Sequence, residues 1–286
     1  MIAAVVVTFS APADVLDRCL RALAATPGLD RIVVVDTGGS AVVADDVGDV
    51  DLHRIDNRGY GAAANHAIAS LPSGTDVVLL NDDVVVQPGW LAPLTAALEA
   101  DRVGAVQPVL VAADHAVVTS CGVAIDRHGA GVDVGDGDPV PEPTAPLPLE
   151  IFNGGTVLFA AAFLADTGGF DERYFLYYED VDLARRGAEL GWCYRLAPES
   201  VVEHRRGTTT GALGGRTRFL QERNRLWAAA RFAEPSTIAR ALWLSVRRLR
   251  HEPRRTHRRA LAAGLAGMPR RVVERLRAPG TRTARR

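Results

Sequence analysis

Apolar runs alternate with amphipathic stretches through the first hundred residues. Residues 2–9 form an apolar run that predicts a first strand. In residues 13–25, Val15, Leu16, Cys19, Leu20 and Leu23 recur at helical spacing on one side. Residues 31–35 predict a second strand, ended by Asp36-Thr37-Gly38-Gly39, and residues 51–55 a short third. An Ala-rich helix is predicted over 60–70, a strand over 76–80, and a helix over 88–100 with Pro in its first turn. This strand–helix alternation predicts an α/β fold with a mostly parallel sheet covered on both faces.

The pattern then changes. Residues 103–110 and 116–126 read as strands, and 149–164 is strand-like around Asn153-Gly154-Gly155. Residues 129–148 are rich in Gly, Asp and Pro and predict a mobile surface loop. A helix is predicted over 180–190, then strands near 193–196 and 201–204. Residues 207–215 read as a Gly/Thr linker, and the pattern is helical from Arg216 to about Arg277. There is no internal repeat.

The 286 residues allow one large domain with an appendage, or two modest domains. With 48% hydrophobic and 23% charged residues, the composition is that of a soluble globular protein. No run of apolar residues is long enough for a transmembrane helix, and the opening run lacks a basic leader. Cys19, Cys121 and Cys193 are scattered without metal spacing and read as reduced thiols, which suits a cytoplasmic protein. The net charge of −1 conceals an asymmetry: residues 240–286 carry fifteen Arg and two Glu, or +13, leaving −14 for the rest. Every basic residue is Arg, which reads mainly as compositional bias.

Candidate chemistry gathers at predicted strand ends. The run Val77 to Leu80 leads into Asn81-Asp82-Asp83, placing two carboxylates on the rim of a sheet, where ligands of open α/β sheets bind. A divalent cation that itself holds a diphosphate is their natural partner; the alternative is a polar turn. Asp36 can accept from a ligand N–H such as a pyrimidine imide, or simply form the turn before Gly38-Gly39. The segment Asn57-Arg58-Gly59-Tyr60-Gly61 through Asn65 joins a strand to a helix. Its small residues allow a ligand backbone to approach a helix N-terminus, or reflect tight helix packing with Asn57 as cap. It has neither the dinucleotide nor the P-loop spacing. Gly154 and Gly155 suggest close backbone approach or a bulge. Glu179 and Asp180 follow bulky aromatics, which would desolvate a carboxylate and raise its basicity; capping of the helix is the alternative. Asp182 is expected to face solvent or cap that helix. His204 ends another strand and is either structural or a metal ligand.

In this order, the segments resemble glycosyltransferase family 2. They run from Val5-Val6-Val7-Thr8-Phe9 through Val35-Asp36, Asn57 to Gly61 with Asn65, and Asn81-Asp82-Asp83. They continue through Asn153-Gly154-Gly155 and Gly169-Phe170-Asp171 to Glu179-Asp180-Val181-Asp182-Leu183 and His204. Phe175-Leu176-Tyr177-Tyr178-Glu179-Asp180 is most similar to the rhamnosyltransferase-like branch. The resemblance covers about residues 1–230. It implies a GT-A fold (nucleotide-diphospho-sugar transferase, Rossmann-like): a mixed sheet flanked by helices, with a C-terminal helical extension. The expected division is a catalytic domain over 1–206 and a helical extension with an Arg-rich tail over 207–286.

The resemblance also implies roles. Asp36 would hold the pyrimidine base of a nucleoside diphosphate sugar. Thr8, Asn57, Arg58, Gly59, Gly61, Asn65, Gly154 and Gly155 would line the donor pocket, and Asp82 would support the sugar or ribose. Asp83 and His204 would hold Mn2+ or Mg2+, with Asn81 standing where the family pattern has an acid. Asp180 would be the catalytic base and Glu179 would orient the acceptor. Arg223-Asn224-Arg225 would approach the diphosphate. The implied activity is inverting, metal-dependent hexosyl transfer, as in cell wall or polysaccharide biosynthesis. The donor would be dTDP-rhamnose or a UDP-sugar, and the acceptor a glycan or polyprenyl-diphosphate-linked hydroxyl.

The tail mixes Arg with Leu242, Trp243, Leu244, Val246, Leu261, Leu265, Val272 and Leu276. It reads as a peripheral contact with the inner face of the cell membrane, or as a solvated Arg face on packed helices. A nucleotidyltransferase is disfavoured because Ser10-Ala11-Pro12-Ala13-Asp14 offers no Gly-rich basic loop after the first strand. A non-catalytic binder of membrane or nucleic acid is disfavoured by Glu179-Asp180. No nucleic acid is expected, since Trp243 is the tail's only aromatic.

Overall fold

The computed structural model describes residues 1–205, 215–251 and 253–278. In chain order the elements are β1 (Ile2–Thr8), α1 (Ala13–Ala24), β2 (Arg31–Asp36), β3 (Val50–Arg54), α2 (Tyr60–Ser70), β4 (Asp76–Asn81), β5 (Val84–Val86) and α3 (Leu91–Leu98). They continue with β6 (Val103–Val111), β7 (Val118–Ser120), β8 (Val123–Ile125), β9 (Gly131–Asp133), β10 (Leu147–Leu149), β11 (Thr156–Phe159) and α4 (Ala161–Thr167). The remainder are α5 (Glu179–Glu189), β12 (Cys193–His204), α6 (Gly215–Phe232), α7 (Pro235–Arg248) and α8 (Arg254–Arg277).

Ten strands form one mixed sheet, with the path β10-β12-β6-β11-β4-β1-β2-β3 and with β5 and β7 pairing β12 and β6. β3, β2, β1 and β4 are mutually parallel, whereas β11 runs antiparallel between β4 and β6. The order reverses at β1: the chain steps outward to β2 and β3, then returns to β4 on the other side. Such a switch point opens a crevice beyond the strand C-termini. Val7 pairs with Asn81 and Thr8 with Asp36, so β1, β2 and β4 end side by side at that crevice.

The strands are apolar without alternation because both faces are covered. Ala4, Val6, Val34 and Leu80 pack with Leu16, Leu20 and Leu94 of α1 and α3. Val5, Val7, Val33 and Leu79 pack oppositely, with Ala63 and Ala64 of α2 and with Phe152, Phe159, Phe163 and Leu183. The helical extension has its own small core of Leu226, Ala229 and Ala241. α8 crosses α6 closely: a Cβ at Gly267 would lie 2.2 Å from the Trp227 ring nitrogen and one at Gly264 2.5 Å from Leu226 Cδ1.

Several expected boundaries move. The run 116–126 breaks at Gly122, whose φ of +109° turns the chain between β7 and β8. The expected loop over 129–148 contains β9, which forms a hairpin with β8, and leads into β10 at the sheet edge. Residues 149–164 split into β11 and the start of α4, with Asn153-Gly154-Gly155 ahead of the strand rather than inside it. The helix expected from residue 88 starts at Leu91, and Pro93, not Pro88, occupies its first turn. The two expected strands at 193–204 are one, with a register break between Ala197 and Val201. The linker expected at 207–215 lies, apart from Gly215, outside the described residues.

Candidate active site

A cleft of about 1170 Å³ opens at the crevice. Val7, Thr8, Phe9 and Thr37 line it from the ends of β1 and β2, and Asn57, Gly59 and Tyr60 from the approach to α2. Asn81, Asp82, Asp83, Asn153, Gly154, Gly155 and His204 line it from the sheet rim, and Glu179 and Asp180 from the first turn of α5. Residues of α6 and α7 close the far wall. Asp180, Asp83 and His204, distant in sequence, therefore meet in one cavity.

Asp83 Oδ1 lies 3.3 Å from His204 Nε2, and Asn81 Nδ2 lies 3.4 Å from the same nitrogen. Strand register fixes this meeting: β5 pairs β12 with His204 opposite Val84, and the Arg205 N–H donates to the Asp83 carbonyl. A carboxylate oxygen beside an imidazole nitrogen suits a divalent cation that takes its remaining ligands from phosphate and water. Among the described residues no group of three or more His, Cys, Asp or Glu could hold a metal by itself. The pair fits a divalent cation that takes further ligands from outside it.

Glu179 and Asp180 are neighbours with different surroundings. The Glu179 side chain is buried, and nothing among the described residues hydrogen-bonds its Oε2. Burial, then the Asp180 charge, pushes its carboxyl up to about 8. Burial also raises Asp180, but there backbone N–H groups oppose it: Gly154 donates to Oδ2 at 3.1 Å and Val181 to Oδ1 at 2.8 Å. Burial thus favours the neutral form of Glu179, while the Gly154 and Val181 N–H groups favour the charged form of Asp180. Gly154 sits directly against Asp180, with its Cβ position 3.4 Å from Asp180 Cβ, an ordinary van der Waals contact.

The segment before α5 is strained. Phe175, Tyr177 and Tyr178 have φ of +69°, +68° and +71°, an unfavourable region for bulky side chains. The Asn224 amide on α6 holds it by donating to the carbonyls of Tyr174, Leu176 and Tyr177 at 3.0, 2.9 and 2.7 Å. Arg223 adds a hydrogen bond to the Tyr174 carbonyl at 2.7 Å. The Tyr178 hydroxyl donates to the Gly129 carbonyl and accepts from the Gly131 N–H, pinning the β8–β9 hairpin over the cleft.

Other residues singled out in the sequence are engaged by the protein's own chain. Asp36 does not line the cleft; its carboxylate accepts three N–H groups of its own turn, from Gly38, Gly39 and Ala41 at 2.8–2.9 Å. It shapes Thr37 instead, and Thr37 in turn donates its N–H and hydroxyl to the Thr8 carbonyl. Arg58 points away and pairs with Glu172 at 2.8 Å. Asn65 joins α2 to the Phe170 backbone, donating to its carbonyl and accepting from its N–H at 2.9 Å. Gly59 lines the cleft as expected, and close packing of the protein's own chain also requires small residues at 59 and 61. A Cβ on Gly59 would lie 2.2 Å from the Phe175 carbonyl oxygen, and one on Gly61 2.9 Å from Phe170 Cβ. Asp182 is buried, 2% exposed, and pairs with Arg186 at 2.7 Å. Of Arg223-Asn224-Arg225, only Arg225 reaches the cleft, and it is held by Glu222 and Ser245. Of the wall supplied by α6 and α7, sequence reading found only the Arg223-Asn224-Arg225 segment; the part from α7 was marked only as basic.

Gly59→Ala is expected to cost about 3 kcal/mol or more, since strain at a φ of +102° adds to a backbone collision. That is a fall of roughly 5–10 °C in Tm. Gly74→Ala, at φ +81° with nothing within 4 Å, is the control for strain alone and should cost about 1 kcal/mol. Equal losses in the two variants would contradict the collision.

The family model for "Glycosyltransferase like family 2" matches residues 1–230. Two curated relatives, from Mycobacterium tuberculosis strains CDC 1551 / Oshkosh and ATCC 25618 / H37Rv, are N-acetylglucosaminyl-diphospho-decaprenol L-rhamnosyltransferases. Each is 34% identical over 178 residues, covering 54% of this chain and 58% of the relative. The chain thus matches little more than half the length of these relatives. The fold is shared with GalNAc-T7 bound to UDP, GalNAc and Mn2+, at TM-score 0.67 and 14% identity over 98% of this chain and 58% of that one. It is also shared with the Pyrobaculum calidifontis mannosyltransferase PcManGT bound to GDP-Man and Mn2+. The TM-score is 0.55 and the identity 17%, over 97% of this chain and 87% of that one.

Proposed function

The chain belongs to glycosyltransferase family 2, and from that premise we propose that it moves a sugar from a nucleoside diphosphate to an acceptor hydroxyl in this cleft. The observation that carries the reading is the convergence of Asp180 with the Asp83–His204 pair at the switch point of the sheet. The nucleoside is assigned to the side of Thr8, Thr37 and Asn57, and the diphosphate to Asp83 and His204. The chemistry a bound divalent cation supplies there is neutralisation of the departing diphosphate. Asp180, oriented by the Gly154 N–H, takes the proton of the attacking hydroxyl, which approaches the anomeric carbon opposite the leaving group. Glu179 orients that hydroxyl. One displacement of this kind inverts the anomeric configuration.

The curated relatives support a rhamnosyl donor and a polyprenyl-diphosphate-linked acceptor. The catalytic unit is assigned to residues 1–206, with the helices after it completing the cleft. The test is incubation with dTDP-rhamnose, UDP-galactofuranose and UDP-glucose, each with manganese and a prenyl-diphosphate-linked N-acetylglucosamine. Product from dTDP-rhamnose with inverted configuration by NMR is expected; retained configuration would contradict the single displacement.

Among the described residues no helix is long and apolar enough to cross a membrane. Peripheral contact is proposed through α7 and α8, where Trp243 is 55% and Leu276 63% exposed among arginines. Deleting residues 251–286 is a poor test of this contact. α8 packs on α6, and Arg271 pairs with Asp171 at 2.6 Å while lying over the Tyr174 ring, so the deletion would damage the site. Val246→Ser with Leu276→Ser is the cleaner variant, since both side chains are more than half exposed. It should lower flotation with anionic liposomes several-fold without lowering Tm; unchanged flotation would contradict the contact.

A further inference from the structure

The two walls of the cleft carry opposite charge. The sheet side presents Asp82, Asp83, Glu179 and Asp180. The helical side presents Arg218, Arg225, Arg247 and Arg248 with His251. Among the described residues that side has one acid in the cleft, Glu222, which is already shared: Arg225 pairs with it at 3.1 Å, and Arg248 pairs with its other oxygen. Arg218 and Arg247 are exposed to the cleft without a carboxylate partner among the described residues. Arg247 instead lies over the Trp243 ring, 5.3 Å from its centroid. Burial, and after it the positive charge of Arg218, works against the charged form of Arg248. Guanidinium groups gathered in this way call for an anion.

The helical wall is anchored to the hairpin that Tyr178 holds. Arg225 donates to the His128 carbonyl at 2.8 Å, and Trp243 stacks on the His128 ring at 6.3 Å. The helical wall therefore abuts the turn of the β8–β9 hairpin, the same hairpin that Tyr178 pins beside Asp180. Arg247, over the Trp243 ring that stacks on His128, is thereby tied to this hairpin.

We propose that Arg218 and Arg247 form an anion subsite that binds the diphosphate of the acceptor, presenting its sugar hydroxyl to Asp180. The inference rests on the transferase reading above. A diphosphate could come from either substrate, and kinetics separate the two sources. The probes are a short-chain prenyl-diphosphate-linked N-acetylglucosamine and the same sugar on an uncharged alkyl chain. Wild type should favour the diphosphate acceptor. In Arg218→Gln/Arg247→Gln, KM for that acceptor should rise about tenfold or more, and its advantage over the uncharged acceptor should vanish. KM for the donor should move less than twofold, and Arg247→Lys should keep part of the preference. Both arginines are exposed, so folding is not at stake. A raised donor KM with acceptor preference intact would assign the arginines to the donor and overturn the proposal. Unchanged constants, or a wild type indifferent to the acceptor's charge, would overturn it as well. A wild type that consumes no nucleotide sugar at all would instead overturn the transferase reading.

Discussion

Asp180→Asn is expected to fold, to bind nucleotide and to lose about 10³-fold in turnover, within the range of about 10²–10⁴ that a general base contributes. The substitution keeps shape and removes the ability to take a proton. It also disturbs one of two hydrogen bonds, since Asp180 accepts from both Gly154 and Val181 and an amide offers a single oxygen. A small loss of stability is therefore expected alongside the large loss of rate. The pH profile carries the sign. A base works deprotonated, and burial raises the Asp180 pKa, so the rate should rise with pH along a limb displaced above the ordinary carboxylate value near 3.9. Glu179 titrates with it, so the limb belongs to the pair. Wild-type turnover in Asp180→Asn would remove Asp180 from the mechanism.

Asp83→Asn should be the second most damaging change, lowering metal-dependent turnover by about 10²-fold or more, comparable to disrupting a metal site elsewhere. The neutral amide keeps the volume beside His204 but loses the anionic ligand, and the two-residue donor set leaves little reserve. Nucleotide should then bind equally with and without manganese. In the wild type, chelation should reproduce the loss and added manganese should reverse it. Full metal stimulation in Asp83→Asn would move the cation away from this pair.

The parts of the fold that are legible in sequence are those set by local pattern. Unbroken apolar runs such as Val77 to Leu80 mark strands buried on both faces, and the carboxylates after them fall at strand ends because the run stops there. What escapes is decided by partners far along the chain. Asp182 is held by Arg186 under the carbonyls of Thr167 and Gly169, which no helical pattern displays. Gly59 is small because Phe175 crosses it, 116 positions later. Asp36 looks like a ligand acceptor in the sequence, whereas the three N–H groups that its own turn supplies appear only in three dimensions. The segment Arg223-Asn224 carries polar groups that serve three carbonyls freed by a strained loop, a need visible only in three dimensions.

Nucleotide binding measured by thermal shift with dTDP, UDP, GDP and ADP, each with and without manganese, tests the central claim most directly. A stabilisation by dTDP or UDP that requires manganese and disappears in Asp83→Asn is the predicted result. No shift with any nucleotide, or the same shift without metal and in Asp83→Asn, would contradict a cleft built to hold a nucleoside diphosphate sugar through Asp83 and His204.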